Sequence, residues 1–91
     1  MDKYTQAVIQ IIKEQEQVVG PIAFDLAKSV SAIHLGAQEN VSIDGDPKTA
    51  LENLVLQYQR LFGKASVEVS KEAIKRSKLI FESADLPTIL N

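Results

Sequence analysis

From Tyr4 onward the larger apolar residues fall at Tyr4, Val8, Ile11, Ile12, Val18, Val19, Ile22, Leu26 and Val30. Steps of three, four and seven residues put them on one face of a helix. Gln15 interrupts this stripe, while Lys13, Glu14, Glu16 and Gln17 belong mostly to the outer face. A second run sets Leu51, Leu54, Val55, Tyr58, Leu61, Phe62, Ala65, Val69 and Ala73 at the same helical spacing. Its start is marked by the turn Asp44-Gly45-Asp46-Pro47, with Asp46 as N-cap and Pro47 at the first helical position. The pattern predicts an end near Ser77. Glu68 with Lys71 and Glu72 with Arg76 support its last turns, and Lys71 with Lys75 opposes them.

Each stripe crosses a residue that weakens helices. In the first, Gly20-Pro21 removes a hydrogen bond and crowds the preceding turn, yet the apolar phase is kept on both sides. In the second, Gly63 costs about 1 kcal/mol relative to alanine. The sequence therefore predicts two long amphipathic helices, each either kinked or broken at its glycine. A shift of 43 residues overlays Ala7 on Ala50, Gly20 on Gly63 and Lys28 on Lys71. Two readings follow: two helices with similar stripes, or a duplicated helix-joint-helix unit that closes into a compact pseudo-symmetric bundle.

Between the helices Ile33 and Leu35 alternate with Ala32 and His34, and Val41 and Ile43 flank Ser42, with 36–40 as a loop. This alternation fits a short β-hairpin at 32–43, or a loop whose apolar side chains cap a helical pair. Residues 78–82 either add a third strand or continue the second helix. In the tail, Leu86, Ile89 and Leu90 are apolar enough to dock. The expected fold class is mainly α: a single helical domain over 1–91, with a first unit at 1–31, a hairpin or loop at 32–45, a second unit at 46–77 and a tail at 78–91. Unbroken helices of this length would be roughly 40 Å long. Their wide stripes would then need a second copy to close a four-helix bundle. Helices broken at both glycines would close a bundle within one chain.

Composition narrows the function. The chain of 91 residues has no cysteine, which removes disulfides and thiolate chemistry. In so small a chain this favours oligomerisation as an added source of stability. A net charge of −2 disfavours a free-standing nucleic-acid binder. No apolar run approaches the roughly 18 residues of a membrane span. The first residues lack the layout of a signal peptide, so a cytoplasmic location is expected.

The chemistry-bearing residues form no catalytic pattern. His34 is the sole histidine, read as a surface or hairpin-edge residue. Asp44-Gly45-Asp46 lacks the ligand spacing of a calcium loop, and neither Gly20 nor Gly63 belongs to a phosphate-binding loop. Lys71, Lys75, Arg76 and Lys78 cluster where cations favour a helix C-terminus. No catalytic residue, metal site or cofactor is assigned, and no enzymatic activity is expected. The leading expectation is a non-enzymatic interaction module, a homodimeric adaptor or regulatory subunit with a protein partner, whose interface uses Ile11, Val18, Leu54 and Leu61. The alternative is a carrier or sensor of a small apolar ligand, with a pocket near Gly20, Phe24, Phe62 and Gly63. A nucleic-acid-associated regulator using the basic cluster is the third.

Overall fold

The computed structural model describes residues 2–36 and 40–91. Both helical stretches are broken at their glycines. The order is α1 (Lys3–Val19), α2 (Ile22–Lys28), β1 (Ile33–Leu35), β2 (Val41–Ile43), α3 (Pro47–Phe62) and α4 (Lys64–Ser77), followed by two short 3-10 turns at Ser83–Asp85 and Thr88–Leu90. The expected pair of long helices is thus a set of four shorter ones. The reason lies in the backbone: φ/ψ is +83°/−163° at Gly20 and +75°/−166° at Gly63. This region is open almost only to glycine. At each joint the glycine N–H closes the preceding helix, on Glu16 O and Gln59 O, both at 2.8 Å. The glycine carbonyl then accepts from Ala23 N or Ser66 N, both at 3.1 Å, and opens the next helix.

Helix starts follow one device. Asp2 accepts from the Thr5 backbone N–H at 2.9 Å, and Asp46 accepts from the Thr49 hydroxyl at 2.6 Å and its N–H at 3.3 Å. Pro47 occupies the first turn of α3, where a missing N–H costs nothing. The helix α1 packs chiefly on α4, and α2 packs on α1 and α3. The core between them holds Val8, Ile11, Leu51, Leu54, Val55 and Tyr58, all fully buried, closed by Val67 and Ile74 of α4.

The hairpin is present as an antiparallel pair with Ile33 opposite Ile43 and Leu35 opposite Val41. Its turn residues 37–39 lie outside the described residues. β1 rests on α2 and β2 on α1. Residues 78–82 form no strand. They lead into a tail whose Leu90 is buried and whose last 3-10 turn packs on α4 and α3. The N-terminus of α1 holds this tail: Tyr4 donates its hydroxyl to Asp85 O at 2.7 Å, and Lys3 pairs with the Asp85 carboxylate at 2.9 Å. Lys3 also lies 4.9 Å from the centre of the Phe81 ring, and Tyr4 meets that ring edge-on.

Two expectations follow. A Cβ at Gly63 would meet no atom within 4 Å, so substitution there acts on the backbone alone. Gly63→Ala is expected to lower stability by about 1–3 kcal/mol in urea denaturation, the usual cost of such a backbone conformation in a residue with a side chain. The tail clasp is acid-sensitive. The hydrogen bond from Lys3 holds the Asp85 carboxyl below its ordinary value of 3.8. Its contribution is therefore complete above that value and is lost as pH falls through the lowered one. Proteolysis within 79–91 is expected to accelerate below pH 3.8, and Asp85→Asn to show the faster cleavage already at neutral pH.

Candidate interaction surface

Two polar side chains cross the centre of the bundle, and they fix where its ends lie. Gln15 follows Ile11 by one helical step of four and is fully buried. Its amide donates to Ser66 O at 2.8 Å and to the Ser70 hydroxyl at 3.1 Å, both on α4. Tyr58, also fully buried, donates its hydroxyl to Ala23 O on α2 at 2.7 Å. Burial, with the charge of Glu16 adding to it, pushes the Tyr58 hydroxyl well above its ordinary pKa and keeps it a donor. The 43-residue shift that relates Gly20 to Gly63 also relates Gln15 to Tyr58 and Ala23 to Ser66. Each unit thus reaches from its long first helix into the opening turn of the other unit's second helix. The same shift superposes the buried sets Ala7, Val8, Ile11, Ile12 and Ala50, Leu51, Leu54, Val55. These two contacts follow the 43-residue shift as the sequence does.

These crossings set the end of α1 beside the start of α4 and the end of α3 beside the start of α2. Next to the joints in sequence three large apolar side chains stand exposed: Val18 at 64%, Leu61 at 57% and Ile22 at 45%. Val18 and Leu61 are again related by the shift. Their neighbours Val19 and Phe62 turn inward and pack on the core. The exposed residue of each pair stands two positions before its glycine. The charged residues near the joints in sequence, Glu16 in the first unit and Arg60 and Lys64 in the second, are exposed. None of the three side chains has a hydrogen-bond or ion-pair partner among the described residues.

The four residues expected at an interface therefore separate. Ile11 and Leu54 are fully buried inside the chain's own core, because the broken helices fold back and cover them. Only Val18 and Leu61 are left to meet a partner. The four residues expected at a pocket separate as well. Phe24 lines a cleft of about 200 Å³ with Ile9, Ile12, Leu35 and Val41, rimmed by Lys13 and Glu16. Gly20, Gly63 and Phe62 belong to the joints and do not line it. His34 stands exposed on β1 and pairs with Asp44. In the basic cluster Arg76 meets Glu14 and Glu72, and Lys71 meets Glu68.

Sequence reasoning missed Gln15, Ser66 and Ser70 as core residues. The signal was there for Gln15: it occupies the place of Tyr58 in the overlay. No protein-family model matches the chain, and no curated protein or solved structure matches it.

Removing the Tyr58 hydroxyl leaves the ring in place and the Ala23 carbonyl without this donor. Tyr58→Phe is expected to cost about 1 kcal/mol in chemical denaturation, the usual worth of one such bond. Gln15→Glu would bury a carboxylate against the Ser66 carbonyl, and its loss of stability is expected to exceed that of Tyr58→Phe severalfold at neutral pH.

Proposed function

We propose that the protein is a non-enzymatic interaction module that acts as a homodimer, an adaptor or regulatory subunit whose contact surface lies beside the joints. One observation carries this reading: Val18, Ile22 and Leu61, each two residues from a joint glycine, are exposed large apolar side chains. Leaving large apolar side chains in water is unfavourable, and covering one recovers about 1.5–3 kcal/mol. Exposure of this kind repeated at both joints marks a contact site. The carrier reading rests on the cleft at Phe24. That cleft, at about 200 Å³, is smaller than the roughly 300–1,000 Å³ of pockets that enclose a ligand. A nucleic-acid role has less support, since Arg76 and Lys71 of the basic cluster already pair with carboxylates.

The reading is tested by sedimentation over a micromolar concentration series. The wild-type protein is expected to approach twice its 10.0 kDa chain mass. Leu61→Asp, at an exposed position that leaves the core intact, is expected to remain at the chain mass over the same range. A wild-type protein that stays at 10.0 kDa throughout rejects the homodimer.

A further inference from the structure

On α1 the positions 9, 12, 13 and 16 follow the helical spacing that keeps side chains on one face. All four line the cleft beside Phe24. The face is divided along its length: Ile9 and Ile12 are apolar, and Lys13 and Glu16 carry one charge of each sign. Phe24 of α2 and Leu35 and Val41 of the hairpin complete the apolar part. The cleft thus has an apolar floor built from three elements and a rim built from one helix, with an ammonium and a carboxylate three residues apart.

Both size and charge restrict what can fit. An apolar cavity of about 150 Å³ takes up benzene, so a cleft of about 200 Å³ admits one apolar side chain and little more. Whatever else the ligand carries must stay at the rim, where Lys13 and Glu16 are exposed. A neutral hydrocarbon would leave both charges unused. An apolar acid or an apolar amine would meet one matching charge and one like charge. A ligand with an ammonium and a carboxylate on adjacent atoms meets a matching charge at each end. We infer that the cleft binds a free apolar α-amino acid, with its side chain on Ile9, Ile12 and Phe24, its ammonium on Glu16 and its carboxylate on Lys13.

The rim can accept these contacts without losing its own. Glu16 has no side-chain partner among the described residues, so its carboxylate gains a donor and gives up none. Lys13 already has a partner within the chain. An ammonium has three N–H donors, so a second acceptor is accommodated. The neighbouring Lys28 holds its Nζ over the Phe24 ring, 4.8 Å from the centre. The charged ends of the ligand stay in contact with water at an exposed rim, which spares most of the cost of desolvating them. The site is separate from the contact surface proposed above and does not depend on the homodimer.

The test is a titration of the intact chain at neutral pH, followed by the backbone amide signals of Glu16, Phe24, Leu35 and Val41 in nitrogen–proton correlation spectra. Four compounds are compared: L-phenylalanine, 3-phenylpropanoate and 2-phenylethylamine, which share the ring, and glycine, which has both charges and no side chain. L-Phenylalanine is expected to move these signals saturably, with a dissociation constant roughly fivefold below that of either singly charged compound, the upper worth of one exposed ion pair. Glycine is expected not to move them. Glu16→Gln is expected to abolish the preference for L-phenylalanine over 3-phenylpropanoate and to keep that over 2-phenylethylamine, with an unchanged far-ultraviolet circular dichroism spectrum. Lys13→Gln is expected to do the reverse. Signals that stay in place at millimolar L-phenylalanine overturn the site. Equal binding of the three ring compounds, tighter binding of a singly charged one, or a preference that Glu16→Gln leaves intact overturns the amino acid as its ligand. None of these outcomes bears on the solution mass, so the homodimer stands or falls separately.

Discussion

At Gly20 and Gly63 the chain passes through nearly the same pair of backbone angles, with φ of +83° and +75° and ψ close to −165° in both. A side chain at either place would be strained by the backbone angles, although its Cβ would meet no atom within 4 Å. The bend ends one helix and starts the next within a residue or two, so the apolar face turns a corner. Unbent, each unit would extend roughly 40 Å and leave much of its stripe in water. Bent, the two units close on each other within 30 × 27 × 21 Å. Both polar crossings and the exposed Val18, Ile22 and Leu61 lie within about two helical turns of one of these two residues along the chain.

The two units are alike in backbone and unlike in chemistry. At the same place in each unit stand an amide and a phenol, and each reaches a carbonyl in the first turn of the other unit's second helix. The phenol is satisfied by that single bond. The Gln15 amide also has a carbonyl oxygen, and Oε1 finds no partner among the described residues. A buried acceptor left without a donor is costly. The first unit therefore carries a local weakness that the second lacks. The outer surface differs in the same way, with a carboxylate near one joint in sequence and two cations near the other.

Much of the fold was legible in the pattern. The aspartate before Pro47 marks the start of α3, and the end at Ser77 follows from the last periodic residues. The alternation around Ile33 and Val41 carries the hairpin. The break at each glycine was one of two readings, and a single chain offers no means to choose between a kink and a turn. That choice decided the rest. Because α4 restarts after Gly63, its buried face falls on Ser66, Val67, Ser70, Ala73 and Ile74, while Ala65 is left outside. Periodicity carried through the glycine pointed to Ala65 and Val69 instead. Small hydroxyl side chains sit in this face because the Gln15 amide arrives there. For the candidate surface, spacing identified Val18 and Leu61 as apolar and equivalent. Their exposure depends on where the bundle ends, which is a property of three-dimensional closure and not of period. The tail has no period at all. Its place is set by Lys3 and Tyr4, far away in sequence.

The crossed arrangement of the polar contacts bears on how the chain reaches its folded state. Gln15 finds its acceptors more than fifty residues later in the chain, and Tyr58 finds its own 35 residues earlier. The main packing partner of the first helix is likewise the last one. Neither half contains the groups that complete its own interior, so a half-folded chain would hold a buried amide or phenol with nothing to bond. Partly formed states are penalised from both sides. An all-or-none transition between unfolded and native chain is the expected consequence, with the two halves rising and falling together as one thermodynamic unit.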